Sequence, residues 1–349
     1  MTTDTSTLYK LLEQMQVKTR WFDLGRRIGK LKREQIQQFE DGIAPYPHPY
    51  LRQAWLGLVF WPEQDKKKEQ VQIWCLRLPL DEQGKLDLGA RDDFLKQLLF
   101  SLGSNIEAAQ AGKRLNAVLE NNPYELKLPP EKQASLHAKI SLELKQPASS
   151  HYQNSLGYLQ NQDWPQWQAV GVQGLADIAS RWQQHTALLC QALPHLPEQV
   201  LVPLAQCLEH EKIGEELSHA LLARLKLSNE AKLMANLIRG LSASRQPQPL
   251  QQALRYCLSH PEIVQLELLA AISSRCAETA LEPEFALVFL EHLAAAGQGV
   301  FNGLLAEMLF QPNLRLALMA AFRLPQRSEV LSQAIAQLLT PSELNPTTG

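Results

Sequence analysis

The sequence predicts an α+β N-terminal domain, a small antiparallel sheet with covering helices, followed by an all-α HEAT/armadillo-like helical-repeat (α-solenoid) domain. Three observations predict it. Strand-like runs punctuated by turn residues lie between Thr19 and about Leu88. From about Pro130 to Thr340 nearly every segment carries its apolar residues at helical period. That second region also repeats itself: Leu159, Leu208, Leu258 and Leu309 anchor four superimposable segments, with steps of 49, 50 and 51. The expected organisation is an α+β domain over residues 1–128, a repeat domain of about three and a half units over 129–340, and a disordered tail over 341–349.

In the first part, Leu8, Leu11, Leu12 and Met15 share one helical face behind a Ser/Thr cap. Arg20–Leu24 reads as a strand ended by Gly25, and the polar stretch from Arg33 to about Asp41 as a helix stopped at Gly42. Leu56–Trp61 and Val71–Leu78 are the clearest strands. The turn Asp81–Gly84 leads into a short expected edge strand at Lys85–Leu88, completing a small meander. Helices at about Arg91–Leu102 and Asn105–Leu119 are expected to cover its apolar face.

In the second part each repeat reads as three helices. The four anchored segments are each followed by a second helix, such as Trp167–Ile178 and Ile213–Leu222. A third helix comes at about Gln184–Ala192, Glu230–Ser242 and Glu284–Ala295, where Leu188, Leu237 and Leu287 hold one phase. Cys207 and Cys257 then read as small core residues, and His210 and His260 as donors to helix-terminal carbonyls. Ser328–Leu339 is the expected closing cap of the array.

Composition narrows the function. The 349 residues are 45% hydrophobic and 20% charged, which excludes a disordered chain or a Glu/Lys-rich coiled coil. With 34 Lys+Arg against 36 Asp+Glu, the chain is not built to neutralise phosphates along its length. The near balance hides a division: residues 1–145 carry 22 cations and 19 acids, residues 146–349 carry 12 and 17. The polar N-terminus lacks the layout of a secretory signal, and no window approaches the ~20 apolar residues of a bilayer span. Five cysteines without a CxxC pair point to reduced thiols, with no structural metal. The expectation is a cytoplasmic protein with no membrane association and no cofactor. No dinucleotide, phosphate-loop, serine-hydrolase or zinc-protease motif is present, so no catalytic residue is assigned.

Three features carry candidate function. Lys18, Arg20, Arg26, Arg27, Lys30, Lys32 and Arg33 face a single acid, Asp23, within sixteen residues. That run suits an acidic protein surface or a nucleic acid backbone, or is simply a solvated edge. Inside it, Asp23-Leu-Gly-Arg-Arg27 offers either an internal ion pair or a ligand clamp. Pro45-Tyr-Pro-His-Pro-Tyr50 alternates proline with rings, favouring an extended segment whose rings a partner can grip, or a rigid connector. Asp163, Trp164, Trp167, Asp177 and Trp182 would suit base chemistry, but the acidic balance of that half opposes it and favours packing. The candidate contact patch is therefore Arg26, Arg27, Tyr46, His48, Tyr50 and Trp55.

Asp23-Leu-Gly-Arg-Arg27, Pro45-Tyr-Pro-His-Pro49 and Trp167-Gln-Ala-Val-Gly-Val-Gln-Gly-Leu-Ala-Asp177 together resemble a family of uncharacterised gammaproteobacterial proteins catalogued as a domain of unknown function. The likeness runs from about Leu8 to Thr340. It implies a bacterial cytoplasmic protein with a small α+β domain and a helical C-terminal region, and transfers no activity. The functional expectation is a non-enzymatic adaptor or scaffold. It would bind a protein or peptide on the concave repeat face or on the basic, aromatic N-terminal patch. The alternatives are a nucleic-acid-binding or nucleic-acid-processing protein using Lys18–Arg33, and an enzyme with a site between the two domains.

Overall fold

The computed structural model describes residues 7–103, 119 and 122–340. The chain divides into two compact units, Met1–Arg181 and Trp182–Gly349.

The first unit opens with α1 (Leu8–Gln14), capped by the Thr7 side chain, which accepts from the Lys10 amide. Four strands follow, β1 (Val17–Asp23), β2 (Gly29–Leu31), β3 (Gln53–Pro62) and β4 (Gln72–Pro79), with α2 (Arg33–Glu40) between β2 and β3. They form one antiparallel sheet in the order β2-β1-β3-β4. Because side chains alternate along a strand, each strand feeds two cores. Trp21, Leu56, Leu58, Phe60, Trp74 and Leu76 point to one face and meet Leu8, Leu12, Ile36, Phe39, Phe94 and Leu98, so that α1, α2 and α3 (Leu88–Gly103) cover it. Phe22, Val59 and Trp61 point to the other face and meet Leu136, Ile140 and Leu144 at α4 (Pro130–Glu143). Burial on both faces is why β3 reads as a continuous apolar run. The free edge of β4 is covered by the chain at Tyr124–Leu126: Arg77 N donates to Tyr124 O, and Leu126 N to Cys75 O, at 2.9 Å each.

One expected element differs. Lys85–Leu88 is not a strand; only Leu86 bridges to Leu80. The Asp81 carboxylate takes the amides of Gln83 and Lys85, Gly84 turns with φ +75°, and Asp87 then accepts from Ala90 N at the start of α3. These side-chain caps compete with strand pairing and win. The fourth strand is instead Gly29–Leu31, short, with Lys30 at its centre and Lys32 after it. Of the expected helix Asn105–Leu119 only Leu119 lies among the described residues, and the tail 341–349 lies outside them.

Two further helices complete this unit, α5 (Tyr152–Asn161) and α6 (Val172–Ser180), with a 3₁₀ segment at Trp164–Ala169 between them. They approach closely because Gly174 faces Ser155: a β-carbon on Gly174 would lie 2.6 Å from the His151 carbonyl oxygen.

The second unit is helical throughout its described length. Its helices are α7 (Trp182–Ala192), α8 (Glu198–Leu208), α9 (Glu215–Lys226), α10 (Ala231–Leu241), α11 (Gln248–Leu258), α12 (Leu266–Arg275), the single turn α13 (Ala277–Ala280), α14 (Ala286–Ala295), α15 (Gln298–Phe310), α16 (Pro312–Ala321) and α17 (Glu329–Leu339). Packing partners recur. The pairs α8 with α10, α11 with α14 and α15 with α17 are in contact; so are α9 with α11 and α12 with α15, and α10 with α11 and α14 with α15. Leu208, Leu258, Cys207 and Cys257 are buried, whereas Leu309 is half-buried beside buried Leu305 and Met308. Leu188 and Leu287 are likewise half-buried while Leu189, Phe289 and Leu290 fill the core, so those two leucines lie at the margin of their helices' apolar faces. Among the described residues no helix is long and apolar enough to cross a membrane.

Candidate functional site

The candidate residues gather where β1 ends. Leu24 N donates to Trp55 O at 2.7 Å, which extends the β1–β3 pairing by one residue before the chain turns at Gly25. Gly25 is needed for space: a β-carbon there would lie 3.1 Å from the Tyr50 β-carbon and 3.3 Å from His48 O. The Pro45–Tyr50 segment therefore runs against this turn. Its far end is held by a two-residue turn in which Tyr50 and Gln53 exchange both backbone hydrogen bonds at 3.0 Å. Leu51 and Arg52 occupy that turn in the left-handed region, at φ 51° and 55°. Turns of this kind favour Asn and Gly, so two larger side chains there carry local strain.

Side chains tie these pieces together. Arg26 donates to Pro49 O at 2.6 Å, and its guanidinium lies 5.3 Å from the Tyr50 ring centre. Tyr50 meets Trp55 edge to face at 5.0 Å. The Lys132 ammonium of α4 lies 5.7 Å from the Trp55 indole and donates to Gly25 O. Each of the two rings thus has a cation near it, which the negative ring faces favour.

Beneath this layer is Asp23, only 4% exposed. Its Oδ1 lies 2.7 Å from the Tyr46 hydroxyl and accepts from Gly25 N at 3.2 Å. The same hydroxyl lies 3.1 Å from Trp55 O. Burial pushes the Asp23 carboxyl up to about 7, against the opposing pull of Tyr46, Gly25 N, Lys132 and Arg26. Burial, followed by the neighbouring Asp23, also raises the Tyr46 phenol well above its usual value. His48 is exposed, and loss of hydration followed by the Arg26 charge draws its imidazole below the ordinary histidine value.

Arg26, Tyr46, His48, Tyr50 and Trp55 are thus brought together, and Arg27 follows in the same turn, half-buried. They do not all face outward. Tyr46 is 2% exposed and enters the site from inside, because its ring packs on Phe39 at 5.1 Å. The sequence reading missed Lys132: it comes 107 residues after Gly25, and no local pattern marks it. Buried Glu40 was also missed. Its carboxylate takes the amides of Leu8 and Tyr9 at 3.1 and 2.9 Å, and burial pushes it up to about 7.

Much of the remaining basic run is engaged within the unit. Lys18 pairs with Glu63 at 3.8 Å, Arg20 and Lys30 with Glu143 at 3.3 and 2.6 Å, and Arg33 with Glu13 at 2.9 Å. Burial alone would raise Glu143, but Lys30 and Arg20 hold it below the usual carboxylate value. Of the tryptophan and acid group, Asp177, Trp164 and Trp182 make internal contacts, while Asp163 is exposed. Asp177 is buried, accepting from Ser149 N at 3.1 Å and Arg181 at 3.3 Å. Trp164 packs on Tyr158 at 5.6 Å, and Trp182, in the second unit, lies beneath Arg245 at 5.2 Å. Among the described residues no three His, Cys, Asp or Glu side chains gather as a metal site.

The arrangement offers cations, an imidazole and ring edges on a supported turn, which is equipment for holding a ligand. No curated protein and no solved structure matches the chain. A family model does: residues 3–339, spanning the β1 turn, the proline-rich segment and the helical region, match the family described as Protein of unknown function (DUF3549), and the chain belongs to that family.

Proposed function

We propose that the chain is a protein–protein interaction adaptor. Its second unit acts as an α-solenoid of HEAT/armadillo type, and the turn bearing Arg26, His48, Tyr50 and Trp55 serves as a second contact patch. The observation that carries this reading is the recurrence of helix neighbours in the second unit. Helices α8, α11 and α15 begin 50 residues apart, and each packs on the third helix of its own set. Polar cross-links recur with them: Gln206 to Asn236 and Glu209 to Arg239 in one set, Gln251 to Glu282 and Arg255 to Glu284 in the next. A unit that repeats its contacts grows by stacking and presents an extended surface, which favours binding a chain over enclosing a small substrate.

The nucleic-acid reading is weaker because Lys18, Arg20, Lys30 and Arg33 already have carboxylate partners. The test is affinity capture from a cell extract with identification of both bound proteins and bound nucleic acid. The expected result is a defined set of proteins, one or more of which the Arg26→Ala/Arg27→Ala variant loses while remaining folded. Recovery of nucleic acid alone, released as salt rises, would overturn the adaptor reading.

A further inference from the structure

Three oxygens, two of them on the buried side chains Asp23 and Tyr46, meet at the end of β1. Asp23 Oδ1, Tyr46 Oη and Trp55 O are separated by 2.7 and 3.1 Å. One hydroxyl proton can serve either contact or be shared between them, but two full hydrogen bonds take two protons. The tyrosine hydroxyl supplies one, and the Trp55 carbonyl supplies none because it only accepts. A carboxylate also only accepts, whereas a carboxylic acid donates. Both hydrogen bonds are complete when Asp23 carries the second proton.

We propose that Asp23 is protonated in the resting fold and works as a proton-operated latch for the Pro45–Tyr50 segment, donating to Tyr46 Oη while Tyr46 donates onward to Trp55 O. When Asp23 gives its proton to solvent, the one tyrosine hydrogen turns to the new carboxylate. The tie from Tyr46 to β3 is lost and a negative charge is left in a buried site. The groups that face this charge are Arg26 and Gly25 N from the β1 turn, Tyr46 from the proline-rich segment and Lys132 from α4. Lys132 is the sensitive partner, since it donates to Gly25 O next to the carboxyl. An ionised Asp23 draws that ammonium and loosens its hold on the turn. Because the segment carries His48 and Tyr50, a proton on Asp23 sets how those two side chains are presented. The position of the Asp23 carboxyl near 7 places the latch in the range of ordinary cell pH. The inference rests on the geometry of the first unit and does not require the adaptor reading.

The test uses the full chain with aspartate carboxyls labelled with carbon-13, which leaves Glu40 silent. One carboxyl carbon is expected to titrate near 7, and its signal is absent from Asp23→Asn. If that variant does not fold, Tyr46→Phe assigns the signal instead, because it alone shifts when the relay oxygen is removed. The Trp55 indole N–H and the His48 ring are expected to report a transition with the same midpoint. Titration of every aspartate near the usual ~4 overturns the proposal. A signal near 7 that survives in Asp23→Asn also overturns it, and a titrating Asp23 with no response at Trp55 or His48 overturns the latch.

Discussion

Arg239 Nε lies 2.6 Å from Glu209 Oε2, and Arg239 Nη2 lies 3.0 Å from Oε1, a two-pronged ion pair between α10 and the residue that caps α8. Glu209 is 2% exposed, and Arg275 of α12 reaches the same Oε2 at 3.2 Å. Burial alone would raise this carboxyl, but the Arg239 hydrogen bond, with Arg275 and His210, brings it down to about 2. One acid therefore ties three helices of the second unit. Removing Arg239 leaves the buried carboxylate with Arg275 as its remaining guanidinium partner, so Arg239→Ala is expected to destabilise the unit by about 2–3 kcal/mol. Urea unfolding of the single variant and of Glu209→Gln/Arg239→Ala checks this, with the double variant recovering part of the loss.

The two units are expected to answer acid in opposite senses. Asp23 and Glu40 have folded values raised to about 7, so the first unit binds more protons folded than unfolded below that pH. Its stability therefore increases as pH falls from about 7 toward the unfolded carboxylate value of ~4, and is lost again as pH rises through 7. Glu209 is depressed, so its contribution is full above ~4 and is lost as pH falls toward 2. Hydrogen exchange, corrected for intrinsic rates, should show residues 7–100 better protected at pH 5.5 than at 8. Residues 198–280 should lose protection below pH 4.

Gly174→Ala is expected to cost about 1–3 kcal/mol. A methyl group there meets the Ser155 side chain and the His151 carbonyl oxygen at 2.6 Å, and a backbone oxygen cannot rotate away. Thermal melting should show the loss. Ser155→Gly in the same background relieves only the side-chain half of the clash.

Lys132→Met keeps the aliphatic stem but removes the hydrogen bond to Gly25 O and the charge over Trp55. The expected loss is about 2 kcal/mol, since a buried carbonyl is left without its charged donor. Asp23 also loses a stabilising cation, so its titration should move upward. Carboxyl NMR and urea unfolding read the two effects separately.

Much of the fold was legible because helices announce themselves locally. The spacing that predicts helices ending at Leu208 and Leu258 is matched by α8 and α11, and His260 Nδ1 sits 2.7 Å from Tyr256 O at its helix end, where a donor suits a terminal carbonyl. Leu56–Trp61 and Val71–Leu78 were legible as strands for the same reason, an apolar run bounded by turns. Gly29–Leu31 was not, because three residues beside arginines and lysines carry no apolar period of their own. They become a strand through pairing with Trp21, Phe22 and Asp23.

The sequence by itself determined which residues form the candidate patch: arginines after a turn glycine, and rings alternating with prolines, are local chemistry. Only the tertiary structure decided their roles. It buried Tyr46 and Asp23, left His48 exposed, and brought Lys132 from α4 against Gly25 and Trp55. The reason is that periodicity encodes which face of an element is apolar, whereas the environment of a charge depends on which distant segments exclude water around it. Asp23 is one acid among seven cations in the sequence, and in the fold it is a buried carboxyl hydrogen-bonded to a tyrosine.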